Sequence, residues 1–225
     1  YHIISVMWYM NYFFDLVCND CNTAWRMCYK LSGGGFSVRE PSMNNIQKDE
    51  ILKKCFTYFV EHGLERISMR KMCAETGMAM SSAYYWFKDK DEAVLDSAEY
   101  GLNVVTDKLF NYVFSHIEDI KEVINSFPEK LMEYKKELRF IYQVTTSNQY
   151  GDRMRLIADK LDFTYDAYAM KLADRLGCEY EVLQAFVYLF ISATLDYIVW
   201  EDKGKVSREM NAIYTALKML SKSDI

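Results

Sequence analysis

Residues 63–92 read GLERISMRKMCAETGMAMSSAYYWFKDKDE, and the punctuation of this stretch decides the fold. Gly63 stands where a left-handed residue would close a preceding helix. Ser68 can open the next helix by accepting a hydrogen bond from a free backbone amide, and Gly77 ends that helix after about two turns. A third segment runs from about Met80 to Phe87. Asp89 then precedes Glu92 by three residues, the arrangement of a capping box that opens a long fourth helix. Upstream, Leu52, Cys55, Phe56, Phe59 and Val60 recur at helical spacing, with Lys53, Lys54 and Glu61 on the other face. A packing helix followed by two short helices across a tight glycine turn is the plan of a tri-helical DNA-binding unit, here at roughly residues 46–90. By spacing alone, an ordinary helical corner fits equally well.

Residues 51–95 resemble the N-terminal domain of the TetR family of transcriptional regulators. That family's pattern is an apolar helix ending in Gly, a Thr or Ser opening the next, then Gly-Val-Ser-x-Gly-Thr-Leu-Tyr-x-His-Phe, two spacer residues and Lys-Glu. Here Gly77-Met78-Ala79-Met80-Ser81-Ser82-Ala83-Tyr84-Tyr85-Trp86-Phe87 is followed by Lys88-Asp89 and then Lys90-Asp91. Tyr84, Phe87 and Lys90 match in register without a gap, as do Ile51, Phe59, Gly63, Ser68 and Gly77 upstream. Ala79 replaces the usual capping Ser, Ser81 the usual Gly and Trp86 the usual His. The resemblance implies an all-α homodimeric repressor that binds palindromic double-stranded operator DNA and is released by a small hydrophobic ligand. Under it, Ser68, Ser82, Tyr84 and Lys90 supply hydroxyls and a cation near helix N-termini, where phosphate is held. Base edges fall to Arg70, Met80, Ser81 and Tyr85, with Arg70 suited to a bidentate contact with guanine. Ala83 and Phe87 belong to the core.

The rest of the chain fits an all-α class. Only two prolines and nine glycines punctuate 225 residues, 51% of them apolar, which is enough to bury a full core. The net charge of −5 is unevenly placed. Residues 46–90 carry eight basic and six acidic side chains, whereas residues 91–225 carry sixteen and twenty-three. A small electropositive head on an acidic body suits DNA binding, although solvated helix faces also differ this much by chance.

From about residue 90 to 222 the text reads as long helices broken at Gly151, Gly177 and Gly204. Asp119 and Glu122 form another capping box, and Pro128 either kinks that helix or starts a new one. Residues 179–200 are apolar nearly all round, with Val182, Ala185, Phe186, Leu189 and Phe190 on one face, so they require burial nearly all round. Met210, Ile213, Tyr214, Leu217 and Leu220 repeat a stripe on the last helix. The resemblance implies that these two helices pair with their symmetry mates as a four-helix bundle; burial within one subunit is the alternative. Phe110, Phe140, Tyr142, Tyr165, Tyr168 and Tyr197 crowd the middle helices. Most such rings are ordinary core, but the resemblance implies that some line a ligand cavity, with Asp166 or Asp196 supplying a charge for a cationic ligand.

The organisation read from sequence is therefore a leader or linker over 1–44, a helix-turn-helix domain over 45–90 and a helical ligand-binding and dimerisation domain over 91–225. The apolar run from Tyr1 to Cys18 is interrupted by Asn11 and Asp15 and lacks a preceding basic cluster, so it makes a poor signal peptide and a poor membrane span. Because the text begins with Tyr and Met43 directly precedes the first periodic helix, residues 1–42 read as upstream sequence translated from a misplaced start. Cys18 and Cys21 have metal-ligand spacing, with Cys28 and His2 nearby, yet no second pair completes a four-ligand site, and no metal is expected. Six cysteines without a disulfide framework suit a reducing cytoplasm. His2, His62 and His116 belong to no catalytic set, and no phosphate loop or HExxH occurs, so neither an enzyme nor a cofactor nor a membrane partner is expected. The alternative function is a helical ligand- or protein-binding module that has lost DNA binding, suggested by Ala79, Ser81 and Trp86.

Overall fold

The computed structural model describes residues 43–65 and 67–220, the side chains of 43–46, 117, 158–165 and 167 excepted. The leader, with Cys18, Cys21, Cys28 and His2, lies outside the described residues, and Tyr165 outside the described side chains. Among the described residues there are nine α-helices and no strand. They are α1 Met43–His62, α2 Met69–Thr76, α3 Met80–Trp86, α4 Lys90–Ser115, α5 Ile120–Met132, α6 Lys135–Thr146, α7 Gly151–Leu176, α8 Tyr180–Trp200 and α9 Lys203–Leu220. A 3-10 turn, Ile117–Asp119, leads into α5.

The helix ends follow local chemistry. Gly63 closes α1 in the left-handed region at φ 66°, its N–H donating to the Phe59 carbonyl at 2.9 Å. Gly77 closes α2 in the same way at φ 68°. The Asp89 carboxylate accepts from the Glu92 N–H at the start of α4, and the Asp119 carboxylate from the Glu122 N–H at the start of α5, both at 2.9 Å.

Of the two readings of Pro128, a new helix start is not seen: the proline lies inside α5, which continues through it, and its missing N–H leaves the Ile124 carbonyl without a helical donor. Two glycine breaks take a different form from the one read in the sequence. Gly151 opens α7 instead of closing α6, because the corner brings the chain back on itself: a Cβ there would stand 2.9 Å from the Thr145 carbonyl oxygen. The α8–α9 corner is turned not at Gly204, which is the second residue of α9, but at Glu201, a non-glycine in the left-handed region at φ 56°. Lys135 (2.6 Å) and Arg139 (3.6 Å) reach across from α6 to hold the Glu201 carboxylate.

Two cores fill the bundle. The N-terminal one centres on Phe59, Met72 and Phe87, all inaccessible to solvent or nearly so, and it extends well beyond α3. Val94 and Leu95 of α4, Phe140 and Val144 of α6 and Met154 of α7 complete it. Phe140 stacks on Phe59 at 5.9 Å and meets Phe56 edge-on at 5.8 Å. The second core joins the C-terminal half of α4 to α5, the end of α7, α8 and α9.

Candidate DNA-binding surface

The surface is built on α2 and α3. Ser68 is the N-cap of α2, its hydroxyl oxygen accepting from the Lys71 N–H at 3.2 Å. Arg70, in the first turn of α2, is exposed. Ala79 occupies the N-cap of α3 with extended backbone and no side-chain oxygen to offer, so the first-turn amides of α3 have no side-chain cap. Ala83 is fully buried and Phe87 nearly so, which anchors α3 on the N-terminal core. Met80, Ser81, Ser82, Tyr84 and Tyr85 are all exposed, Tyr84 at 55% and Tyr85 at 76%. Met80, Ser81, Tyr84 and Tyr85 fall at helical spacing and share one outward face. Tyr85 meets the half-buried Trp86 edge-on at 5.0 Å, which fixes the ring's direction.

An open groove of about 340 Å³ runs along this face, lined by Gln47, Ser81, Ser82, Tyr85 and Trp86. Gln47 comes from the first turns of α1 and was not singled out from sequence. A polar residue before an amphipathic stripe carries no signal of which groove it will enter.

Lys90, half-buried, begins α4 among three carboxylates. Asp89 caps the helix, Glu92 accepts from the Lys88 N–H, and Asp91 lies 4.0 Å from the Lys90 ammonium. Asp91 is held from the corner between α6 and α7. It accepts from the Tyr150 hydroxyl at 2.9 Å and from the Gln149 amide at 3.0 and 3.1 Å. Burial first, and then the hydrogen bond to Asp91, push the Tyr150 phenol above its ordinary range, so it remains a donor.

The described aromatic residues among those proposed from sequence as cavity-lining fall at different places in the bundle. Phe110 and Tyr168 stack at 4.0 Å between α4 and α7, and the Tyr168 hydroxyl lies 3.5 Å from Asp107. Tyr197 is buried in the C-terminal core, whereas Phe140 belongs to the N-terminal core and Tyr142 is half-buried on α6. Asp166 accepts from the Gln184 amide at 2.6 Å, and Asp196 pairs with Lys205, so both carboxylates considered for a cationic ligand already have donors.

No family model matches the sequence, and neither does any curated protein. Solved structures do match. A protein of Rhodococcus sp. RHA1 assigned as a transcriptional regulator aligns over 78% of this chain and 96% of its own, with a TM-score of 0.58 and 12% identity. A TetR transcription regulator from Haloarcula marismortui aligns over 78% and 98%, with a TM-score of 0.52 and 14% identity. A further transcriptional regulator from Rhodococcus sp. RHA1 gives 79% and 98%, 0.52 and 16%. The chain thus has the all-α fold of TetR-type regulators, the architecture that the resemblance at residues 51–95 implies. At such identities the likeness fixes the fold, and function has to come from the site.

Proposed function

We propose that this protein is a TetR-type transcriptional repressor that binds a palindromic operator as a homodimer and is released by a small hydrophobic ligand. The observation that best supports this is the α2–α3 pair. A Ser68-capped helix and a left-handed Gly77 lead into a helix that buries only Ala83 and turns two tyrosines, a methionine and two serines outward. A helix kept for packing alone would turn such rings inward. Ser68, Ser82, Tyr84 and Lys90 engage phosphates; Arg70, Met80, Ser81 and Tyr85 read base edges. A helix-turn-helix domain over 45–90, a ligand-binding and dimerisation domain over 91–225, a cytoplasmic location and a ligand site near Phe110 and Tyr168 belong to the same proposal.

Gel-shift titration with the DNA beside its own gene tests it. Specific binding at about 10⁻⁸ M or tighter is expected. Tyr84→Phe and Lys90→Ala then weaken binding to every sequence, the lysine change also flattening the salt dependence. Arg70→Ala relaxes preference at particular base pairs by about 1–3 kcal/mol per contact. Three variants with unchanged affinity would sink the contact map, and a wild type that binds no duplex would favour the ligand- or protein-binding module. The ligand is tested by calorimetric titration of compounds found by thermal shift. A tenfold loss of ligand affinity with operator bound, about 1.4 kcal/mol, must mirror a tenfold loss of DNA affinity with ligand bound.

A further inference from the structure

We propose that Tyr150 and Gln149, on the α6–α7 corner, are positioning residues for DNA binding: by occupying the Asp91 carboxylate they keep it off Lys90 and leave that ammonium for a phosphate. The inference rests on the DNA-binding reading above and assigns its control to a second place in the fold.

Asp91 and Lys90 are adjacent in the first turn of α4, close enough that the direction of the Asp91 carboxylate decides how near it stands to the ammonium. Here the ammonium stands 4.0 Å from Asp91 Oδ1, the outer limit of an ion pair, while three shorter hydrogen bonds of 2.9 to 3.1 Å arrive at the same carboxylate from Tyr150 and Gln149. The corner therefore sets where the carboxylate points. The corner is itself held firmly. The Tyr150 N–H donates to Ser147 Oγ at 3.0 Å, that hydroxyl donates to the Val144 carbonyl at 3.1 Å, and the Gly151 N–H donates to the Ser147 carbonyl at 2.9 Å. The Tyr150 ring is buried in the N-terminal core together with Val144 and Met154, so its hydroxyl cannot wander. Two consequences follow for the edge that faces DNA. The Asp91 carboxylate is occupied by two neutral side-chain donors, and the Lys90 ammonium is left with it at only the long limit of an ion pair, with room for a phosphate as a closer partner.

The test uses the full chain and a fluorescein-labelled duplex of random sequence, with affinity read by anisotropy over a range of salt concentrations. Lys90→Ala is expected to lower the salt slope by about 0.9 for each protomer bound, one phosphate's share. Gln149→Ala/Tyr150→Phe lowers it by the same amount, although Lys90 is still present. Adding Lys90→Ala to that double variant changes nothing further, since two substitutions acting through one contact are not additive. Asp91→Asn alone leaves the slope as in the wild type, but restores it in the double variant, because an amide does not compete for the lysine. Circular dichroism melting establishes that each variant is folded. Should the double variant unfold, Gln149→Ala alone, at an exposed position, gives the same direction at smaller size. A wild-type slope in the corner variants beside a reduced one in Lys90→Ala overturns the positioning role and leaves DNA binding intact. A loss in the corner variants that Asp91→Asn does not repair also overturns it, as a merely structural effect. An unchanged slope in Lys90→Ala overturns the phosphate contact and the positioning role together. A wild type that does not bind the duplex overturns the DNA-binding reading itself.

Discussion

Single residues show where the helix-turn-helix is well made and where it is not. Ser68 caps α2, but Ala79 offers α3 nothing, even though its φ of −67° and ψ of 143° suit a capping serine without strain. Ser68→Ala should therefore cost about 1 kcal/mol and Ala79→Ser should gain about 0.5–1 kcal/mol, both measured by urea unfolding. A destabilising Ala79→Ser would mean that the exposed N-terminus of α3 has no room for the hydroxyl. The buried thiols of α1 and α2 form part of the same core. Burial, and then the nearby Cys73, push Cys55 up to about 12, which keeps its thiol protonated and inert at neutral pH. Caps of this kind could be recognised in the sequence because donor and acceptor lie three residues apart. The link between Asp91 and Tyr150 spans 59 positions and leaves no periodic trace.

At the scale of elements, α4 contributes to both cores, as α6 and α7 do, and its middle depends on a glycine. Gly101 is buried, and a Cβ there would meet the Phe56 ring at 2.1 Å. That ring has little freedom to retreat, since it is buried and meets both Tyr100 and Phe140 edge-on. Gly101→Ala is thus expected to destabilise by about 1–3 kcal/mol through overpacking, even though alanine favours a helix interior by about 1 kcal/mol. Pairing it with Phe56→Leu should recover part of the loss in thermal unfolding. A stabilised Gly101→Ala would show that propensity, and not the ring, governs this turn. Most helices are legible in the sequence, because apolar spacing and caps are written locally, but the break between α5 and α6 at 133–134 carries no glycine or cap signal and is not. Neither is the assignment of a ring to one core or the other. Phe140 carries the same local signal as Phe110, yet its turn of α6 faces Phe59 while Phe110 faces Tyr168. Which side of a helix meets which neighbour is decided by distant packing, and that is why the caps of α2 and α4 can be read locally while the partners of the body's rings cannot.

For the molecule as a whole, the open question set by the chain is how it covers α8. This helix is long and apolar enough to cross a membrane, yet little of it is buried within one subunit. Its inward residues Leu183, Val187, Thr194, Tyr197 and Ile198 pack on α5, α7 and α9, but Leu189 remains 57% exposed and Leu195 37%. Met219 on the neighbouring α9 is 79% exposed. Covering one such leucine is worth about 1.5–3 kcal/mol, and a two-fold interface counts each residue twice. A self-complementary pairing of α8 and α9 would cover Leu189, Leu195 and Met219 of both copies at once. Sedimentation at micromolar concentration should find a dimer. Leu189→Glu should find a monomer, because two uncompensated charges would enter the interface at about 3–5 kcal/mol each. The monomer should keep its helical circular dichroism and lose tight binding to a palindromic duplex, since two half-sites one helical turn apart need two linked recognition helices. A folded wild-type monomer at that concentration would defeat the pairing. A Leu189→Glu variant that still dimerises would move the interface to another face.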